Sequence, residues 1–163
     1  MNNNFYIWTL VLVLLQVLLF NNIELAGLIN PYFYVYIILI MPLSLNVSIQ
    51  LLIAFFFFFF IDVFSNTWGM HAAATTLVAF IRPYLLKLII SQEEVEKQIL
   101  ALNSIRLASY LKYAVSIVFI HHLSLFFLEA FSFANFGFTI LKALCSSIVT
   151  LILIFFIEKV RKK

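Results

Sequence analysis

Six consecutive phenylalanines, Phe55 to Phe60, stand inside an apolar run that extends from Val47 to Phe64. Successive residues of a helix point ~100° apart, so such a block is apolar on every side and leaves no face for water. The segment therefore belongs in lipid or in a deep core. Composition decides between the two. Hydrophobic residues make up 65% of the 163 positions and charged residues 10%, against ~25% charged in an ordinary soluble domain. A chain of this length forms one modest domain whose surface must also be largely apolar, so its solvent is the bilayer.

Five further apolar stretches follow from the same reading. Phe5 to Phe20 is broken only by Thr9 and Gln16 and closes at Asn21-Asn22. A cleaved secretory signal is its competing reading, disfavoured because the residues before it, Met1 to Asn4, carry no lysine or arginine and no small-x-small site follows. Pro31 opens the second stretch, where Tyr32, Tyr34 and Tyr36 read as interface aromatics and Pro42 marks the far end. Gly69 opens the fourth, with Arg82-Pro83 late in it as a kink or as the exit from hydrocarbon. The expected architecture is an all-α bundle of six transmembrane helices in a single domain, residues 1–163, with spans at about 5–22, 32–44, 47–64, 69–90, 108–128 and 136–157. The connection 91–107 carries a capping-box pattern, Ser91-Gln92-Glu93-Glu94, followed by Val95, Ile99 and Leu102 at helical spacing. It reads either as a short amphipathic helix on the membrane surface or as the fourth helix continuing into the cytosol.

Lysine and arginine set the orientation. With six spans, one side of the membrane holds Arg82, Lys87, Lys97, Arg106, Lys112, Lys159, Arg161, Lys162 and Lys163, and the loops opposite hold none. Those loops carry only acidic charge, at Glu24, Asp62 and Glu129. The positive-inside rule then places both termini in the cytoplasm, and the net charge of +3 is a topology signature and not a nucleic-acid footprint.

Motifs that would carry catalysis are missing from the sequence: no glycine-rich phosphate loop, no paired carboxylates, no His-Glu-x-x-His and no Gly-x-Ser-x-Gly. The single cysteine, Cys145, lies in an apolar run and can form no intrachain disulfide. His121 and His122 are adjacent, so on a helix they diverge and make poor joint metal ligands. No catalytic, cofactor or metal site is expected. The polar residues of interest are Asp62, Asn66, Thr67, Trp68, Gly69 and His71, packed between two apolar spans. They form either a turn in which Asp62 or Asn66 caps the fourth helix and Trp68 sits at the interface, or a packing or partner-binding surface. Ala72, Thr76 and Ala79 form a close-packing face on that helix. In the sixth span Thr139, Lys142, Ser146 and Thr150 line one stripe facing the bundle. Lys142 either snorkels outward or pairs with Asp62 or Glu129.

The order of these features resembles the MreD family of bacterial rod-shape-determining membrane proteins. The resemblance runs from Gln16-Val-Leu-Leu-Phe-Asn-Asn-Ile and Asn30-Pro-Tyr-Phe-Tyr-Val-Tyr, through Ile38-Leu-Ile-Met-Pro, to Asp62-Val-Phe-Ser-Asn-Thr-Trp-Gly-Met-His-Ala and Tyr84 after Arg82-Pro83. It covers roughly the first 90 residues with recognisable motifs, and the remainder by size and hydropathy only. It implies a fold similar to the substrate-binding subunits of energy-coupling-factor transporters. It also implies a non-enzymatic scaffold in the bacterial inner (cytoplasmic) membrane, binding an MreC-like protein within the cell-elongation complex (elongasome) that supports cell shape and peptidoglycan synthesis. Through that partner it implies the actin-like MreB, the glycosyltransferase RodA and a transpeptidase. The positions carried over are Pro31, Pro42, Asp62, Asn66, Gly69, His71, Ala72, Arg82 and Pro83, without individual roles. A transport subunit for a vitamin-type small molecule is the alternative, with the cluster of Asp62, Asn66, His71 and Lys142 as its polar site. An intramembrane enzyme ranks third because the acid-base groups are few and unpaired.

Overall fold

The computed structural model describes residues 3–19, 29–92 and 105–161. All regular structure among them is helical: α1 (Asn3–Leu18), a 3-10 turn (Phe33–Val35), α2 (Tyr36–Ile40), α3 (Val47–Ser65), α4 (Met70–Ile89), α5 (Leu107–Ala130) and α6 (Phe136–Arg161). Four of them, α3 to α6, are long and apolar enough to cross a membrane, and the chain is a helical membrane protein. The surface-helix or extension reading of 91–107 falls, apart from its edges, outside the described residues.

The phenylalanine block shows how one helix serves two solvents. In α3 the buried residues are Gln50, Ala54, Phe58, Ile61 and Asp62, a stripe at three- and four-residue spacing that faces the bundle. Of the six phenylalanines only Phe58 is fully buried, against the Tyr34 ring at 4.9 Å. Phe55, Phe56, Phe59 and Phe60 are exposed and available to lipid. Asn46 starts the helix by accepting the backbone N–H of Ile49 at 2.8 Å, as an N-cap should.

Helices α3, α4, α5 and α6 pack in chain order, and α1 packs on α3. The second element departs from the expected continuous span over 32–44. It is a 3-10 turn plus a five-residue helix, and it lies inside the bundle with every residue from Pro31 to Leu39 buried. The prolines explain the break. Met41, preceding Pro42, takes φ −57°, ψ 131° and ends α2, the extended conformation that a following proline enforces. Irregular backbone is tolerated at membrane depth only where protein surrounds and satisfies it, and other elements do so here. Gln16 of α1 accepts from Phe33 N at 3.0 Å and reaches Pro31 O at 3.5 Å. Ser146 of α6 accepts from Asn30 N at 3.1 Å. At the far end Arg82 of α4 donates to Met41 O at 2.5 Å.

Polar groups divide the bundle into two ends. Asp62 and Glu129 lie at one, and the exposed Lys87, Arg106, Lys112 and Lys159 lie at the other. Pro83 sits within α4, which runs on to Ile89, so it does not terminate the helix.

Because Phe58 fills the space over the central segment and Phe56 faces outward, truncating them should differ sharply. Phe58→Ala is expected to cost about 3 kcal/mol through the cavity it leaves, while Phe56→Ala stays close to the parent protein. Thermal unfolding of the purified protein in one detergent measures both, and equal losses would contradict this placement.

Candidate functional site in the polar core

The corner between α3 and α4 is built on Asp62. Its Oδ1 accepts from Thr67 Oγ1 at 2.6 Å and from the backbone N–H of His71 at 2.9 Å, and its Oδ2 accepts from the backbone N–H of Ala72 at 2.8 Å. The carboxylate thus caps the N-terminus of α4 from the preceding helix, where free N–H groups and the helix dipole both favour negative charge. The position normally used for a cap, Gly69, has no side chain and takes φ +88°. Asn66, at φ 54°, ends α3 in the left-handed conformation. Trp68 also has positive φ, 53°, and is 88% exposed. Asp62, not Asn66, is the residue that caps.

One layer deeper, the hydroxyl of Tyr34 lies between two imidazoles. It is hydrogen-bonded to His71 Nδ1 of α4 and, at 3.0 Å, to His121 Nε2 of α5. His122 turns elsewhere: its Nδ1 meets Val118 O at 2.8 Å and its Nε2 meets Thr150 Oγ1 at 3.2 Å. The ring of Tyr32 packs on His71, His121, His122 and Phe126, and its hydroxyl donates to Glu129 Oε1 at 3.2 Å. Glu129 also pairs with Lys142, Nζ to Oε2 3.6 Å, and that ammonium lies 4.6 Å from the centre of the Phe126 ring. Of the alternatives for Lys142, the structure selects pairing with Glu129. Asp62 is committed to α4, and Lys142 does not snorkel free.

At the opposite end, Arg82 is fully buried. Its guanidinium donates through Nε to Tyr113 Oη at 2.9 Å, through Nη1 to Gln50 Oε1 at 2.8 Å and through Nη2 to Met41 O. All three partners are neutral, and they come from α5, α3 and the end of α2. The planar fork of arginine suits this three-way contact in a way that a single ammonium does not. Gln50 is itself fixed by donating to Leu45 O at 2.7 Å. Nearby, Tyr36 donates to the buried Glu158 of α6 at 2.6 Å.

Several expected residues are therefore joined and others are not. Asp62, Gly69, His71 and Ala72 form one corner, whereas Arg82 and Pro83 lie at the other end of α4, and Lys142 belongs with Glu129. Thr76 is half-buried, its hydroxyl without a partner, while Ala72 and Ala79 are buried on the packing face. The stripe of Thr139, Ser146 and Thr150 faces inward as expected. Tyr32, Tyr34 and Tyr36 are the clearest correction. They are not interface aromatics: all three are buried, because each hydroxyl finds a polar partner on a different helix. Gln16, Gln50, Tyr113, His121 and Glu158 were not singled out from the sequence as site residues. Their signal was an isolated polar residue inside an apolar run, which in a membrane helix calls for an internal partner.

The chain matches no protein-family model, no curated protein and no solved structure.

Removing either anchor should unravel its own end. Asp62→Ala strands two backbone N–H groups and is expected to cost about 2 kcal/mol, with Asp62→Asn milder because one acceptor oxygen survives. Arg82→Lys should destabilise comparably, since an ammonium cannot reach all three acceptors. Detergent-resistant unfolding scans test both, and an Arg82→Lys protein as stable as the parent would refute the three-way clamp.

Proposed function

We propose that this protein is a non-enzymatic membrane scaffold of the bacterial cell-elongation complex, an MreD-like subunit of the inner membrane that holds an MreC-like partner. In this reading the basic end is cytoplasmic, as the positive-inside rule asks, and both termini lie on that side. MreB, RodA and a transpeptidase are reached through the partner. The bundle is taken as similar to the substrate-binding subunits of energy-coupling-factor transporters.

The observation that carries the scaffold reading is that the centre of the bundle is occupied by the chain itself. Phe33 to Leu39, including Tyr34 and Tyr36, lie at 0–1% exposure where a transport subunit would enclose its cargo. Polar side chains there are spent largely on joining helices, and the string from Asp62 to Ala72 reads as the device that turns α3 into α4. What remains for a partner is the outside, where α3 and α6 present long apolar faces such as Leu52, Phe56, Phe60, Ile148, Ile152 and Phe156.

One observation favours the transport alternative. A cleft of about 250 Å³ at the acidic end is lined by Phe59, Asp62, Val63, Asn66, Trp68 and Gly69. Its one ionisable group, Asp62, already accepts three hydrogen bonds, which leaves little capacity for a polar ligand.

Affinity purification of the tagged protein from mild detergent, followed by mass spectrometry, separates the two readings. The expected result is co-recovery of a single-span coiled-coil protein with wall-synthesis enzymes, lost when Phe56 or Ile152 is changed to a charged residue. Recovery of an ATPase pair with a membrane coupling subunit, or of a stoichiometric small molecule, would instead establish transport.

A further inference from the structure

At the basic end of the bundle, the lipid-facing stripes of α4, α5 and α6 each finish in a lysine. In α4 the exposed Leu77, Phe80 and Tyr84 recur at three- and four-residue spacing, and Lys87 is the next position. In α6 the exposed Ile148, Ile152 and Phe156 lead in the same way to Lys159. In α5, which runs in the opposite direction, Lys112 stands three residues before the exposed Val115. All three lysines are exposed. The positive-inside rule asks only for cations in or near the cytoplasmic loops and is indifferent to the face of the helix they occupy. Lysines inside three helices, each on the face turned to lipid, are a narrower placement.

The same three helices turn their other faces to the central segment, through Arg82 to Met41, His121 to Tyr34 and Ser146 to Asn30. Lys87, Lys112 and Lys159 therefore lie on the outward side. Since α5 packs between α4 and α6, they form an arc with Lys112 in the middle. The hydrogen bond from Arg82 to Tyr113 sets the height of α4 against α5. Lys112 immediately precedes Tyr113, and Lys87 follows Arg82 by five residues. At ~1.5 Å per residue the two lysines differ in height by on the order of 6 Å, across an interaxial distance of ~8–10 Å. Two flexible side chains so placed reach one headgroup or two adjacent ones.

The arc is not neutralised from within. Among the described residues none of the three lysines makes an ion pair or a hydrogen bond. Glu158, the carboxylate next to Lys159 in sequence, is buried and accepts from Tyr36. By sequence this end holds nine lysines and arginines against four carboxylates, Glu93, Glu94, Glu96 and Glu158, so the glutamates of the 91–107 connection do not cancel the excess.

We propose that Lys87, Lys112 and Lys159 form a docking arc for anionic phospholipids, selecting lipids whose headgroup phosphodiester leaves a net negative charge over zwitterionic ones. The apolar stripes receive the acyl chains. Each lysine lays its apolar stem along the end of its stripe and carries the ammonium to the level of the phosphate. A zwitterionic headgroup brings its own cation and gains less from the same contact. Clusters of Lys and Arg at the ends of transmembrane helices recognise anionic lipid in this way. The chemistry of the arc is independent of which protein the bundle holds.

The test is electron paramagnetic resonance of the full chain in phosphatidylcholine vesicles carrying a trace of spin-labelled phosphatidylglycerol or, in parallel, spin-labelled phosphatidylcholine. The immobilised fraction reports lipid held on the protein. The expected result is a preference of about fivefold for phosphatidylglycerol, the factor one lysine near an anionic headgroup contributes. It should fall toward unity in ~1 M NaCl, where the screening length is ~3 Å. The Lys87→Gln/Lys112→Gln/Lys159→Gln variant should lose the preference while holding phosphatidylcholine as the parent does, and arginine at the same three positions should keep it. A parent without preference overturns the arc. So does a preference undiminished in the glutamine variant, which would move the site to Arg161, Lys162 and Lys163. Inorganic phosphate, added at the ionic strength of a chloride control, separates lipid from free anion: stronger displacement by phosphate than by chloride would overturn docking of lipid. Should the triple variant fail to fold, the single variants decide, since an unchanged preference in all three also contradicts the arc.

Discussion

Hydrocarbon offers no hydrogen bonds, and that single constraint explains most of the polar residues in this protein. The segment from Asn30 to Met41 is too short and too interrupted by Pro31 and Pro42 to close its own backbone ladder. Each exposed N–H or C=O left at membrane depth would cost several kcal/mol. The chain answers with side chains from three surrounding helices. Gln16 takes the start of the 3-10 turn, Ser146 takes Asn30, and Arg82 takes Met41. Of the three, Arg82 also ties Tyr113 of α5 and Gln50 of α3 to the end of this segment.

The same constraint governs Asp62 and Arg82, two of the buried charged side chains of the core. Among the described residues Asp62 has no lysine or arginine partner; it faces the N-terminus of α4, whose free N–H groups act as a fractional positive charge. Arg82, at the opposite end of that helix, faces three neutral oxygens. α4 thus has the Asp62 carboxylate of α3 at its positive pole and its own guanidinium, Arg82, in its later turns, an arrangement its dipole favours at both places. Burying a charge without a full counter-ion is expensive unless every donor and acceptor position nearby is used well. Here the cost is offset by joining α2, α3 and α5 at a single point.

How much of this was legible beforehand depended on whether a residue acts locally. The four long helices follow from runs of apolar residues, and so do their starts, expected at 47, 69, 108 and 136 and found at Val47, Met70, Leu107 and Phe136, because lipid rewards nothing else over about 20 residues. The corner at Asp62 was readable as a cap because the cap and its helix are only nine residues apart. Tyr32, Tyr34 and Tyr36 were misread, since a tyrosine at the edge of an apolar run looks the same whether its hydroxyl meets water or a partner from 37 to 122 residues away. The central position of their segment is a tertiary fact. Two prolines and a short run announce a weak span, but not that five helices will close around it.

Tyr34 marks the point where structural economy stops accounting for the core. A phenol bridging two helices needs one partner to be satisfied; this one has two, on α4 and α5, and His121 keeps a buried ring nitrogen without a bond among the described residues. The neighbouring His122, on the same helix, shows that the fold can satisfy both nitrogens of a buried imidazole with a backbone carbonyl and a threonine. An unpaired polar atom in a buried core costs stability, and among the described residues His121 Nδ1 shares that state with the hydroxyls of Thr76 and Ser147, so the cost is spread over several helices of the bundle.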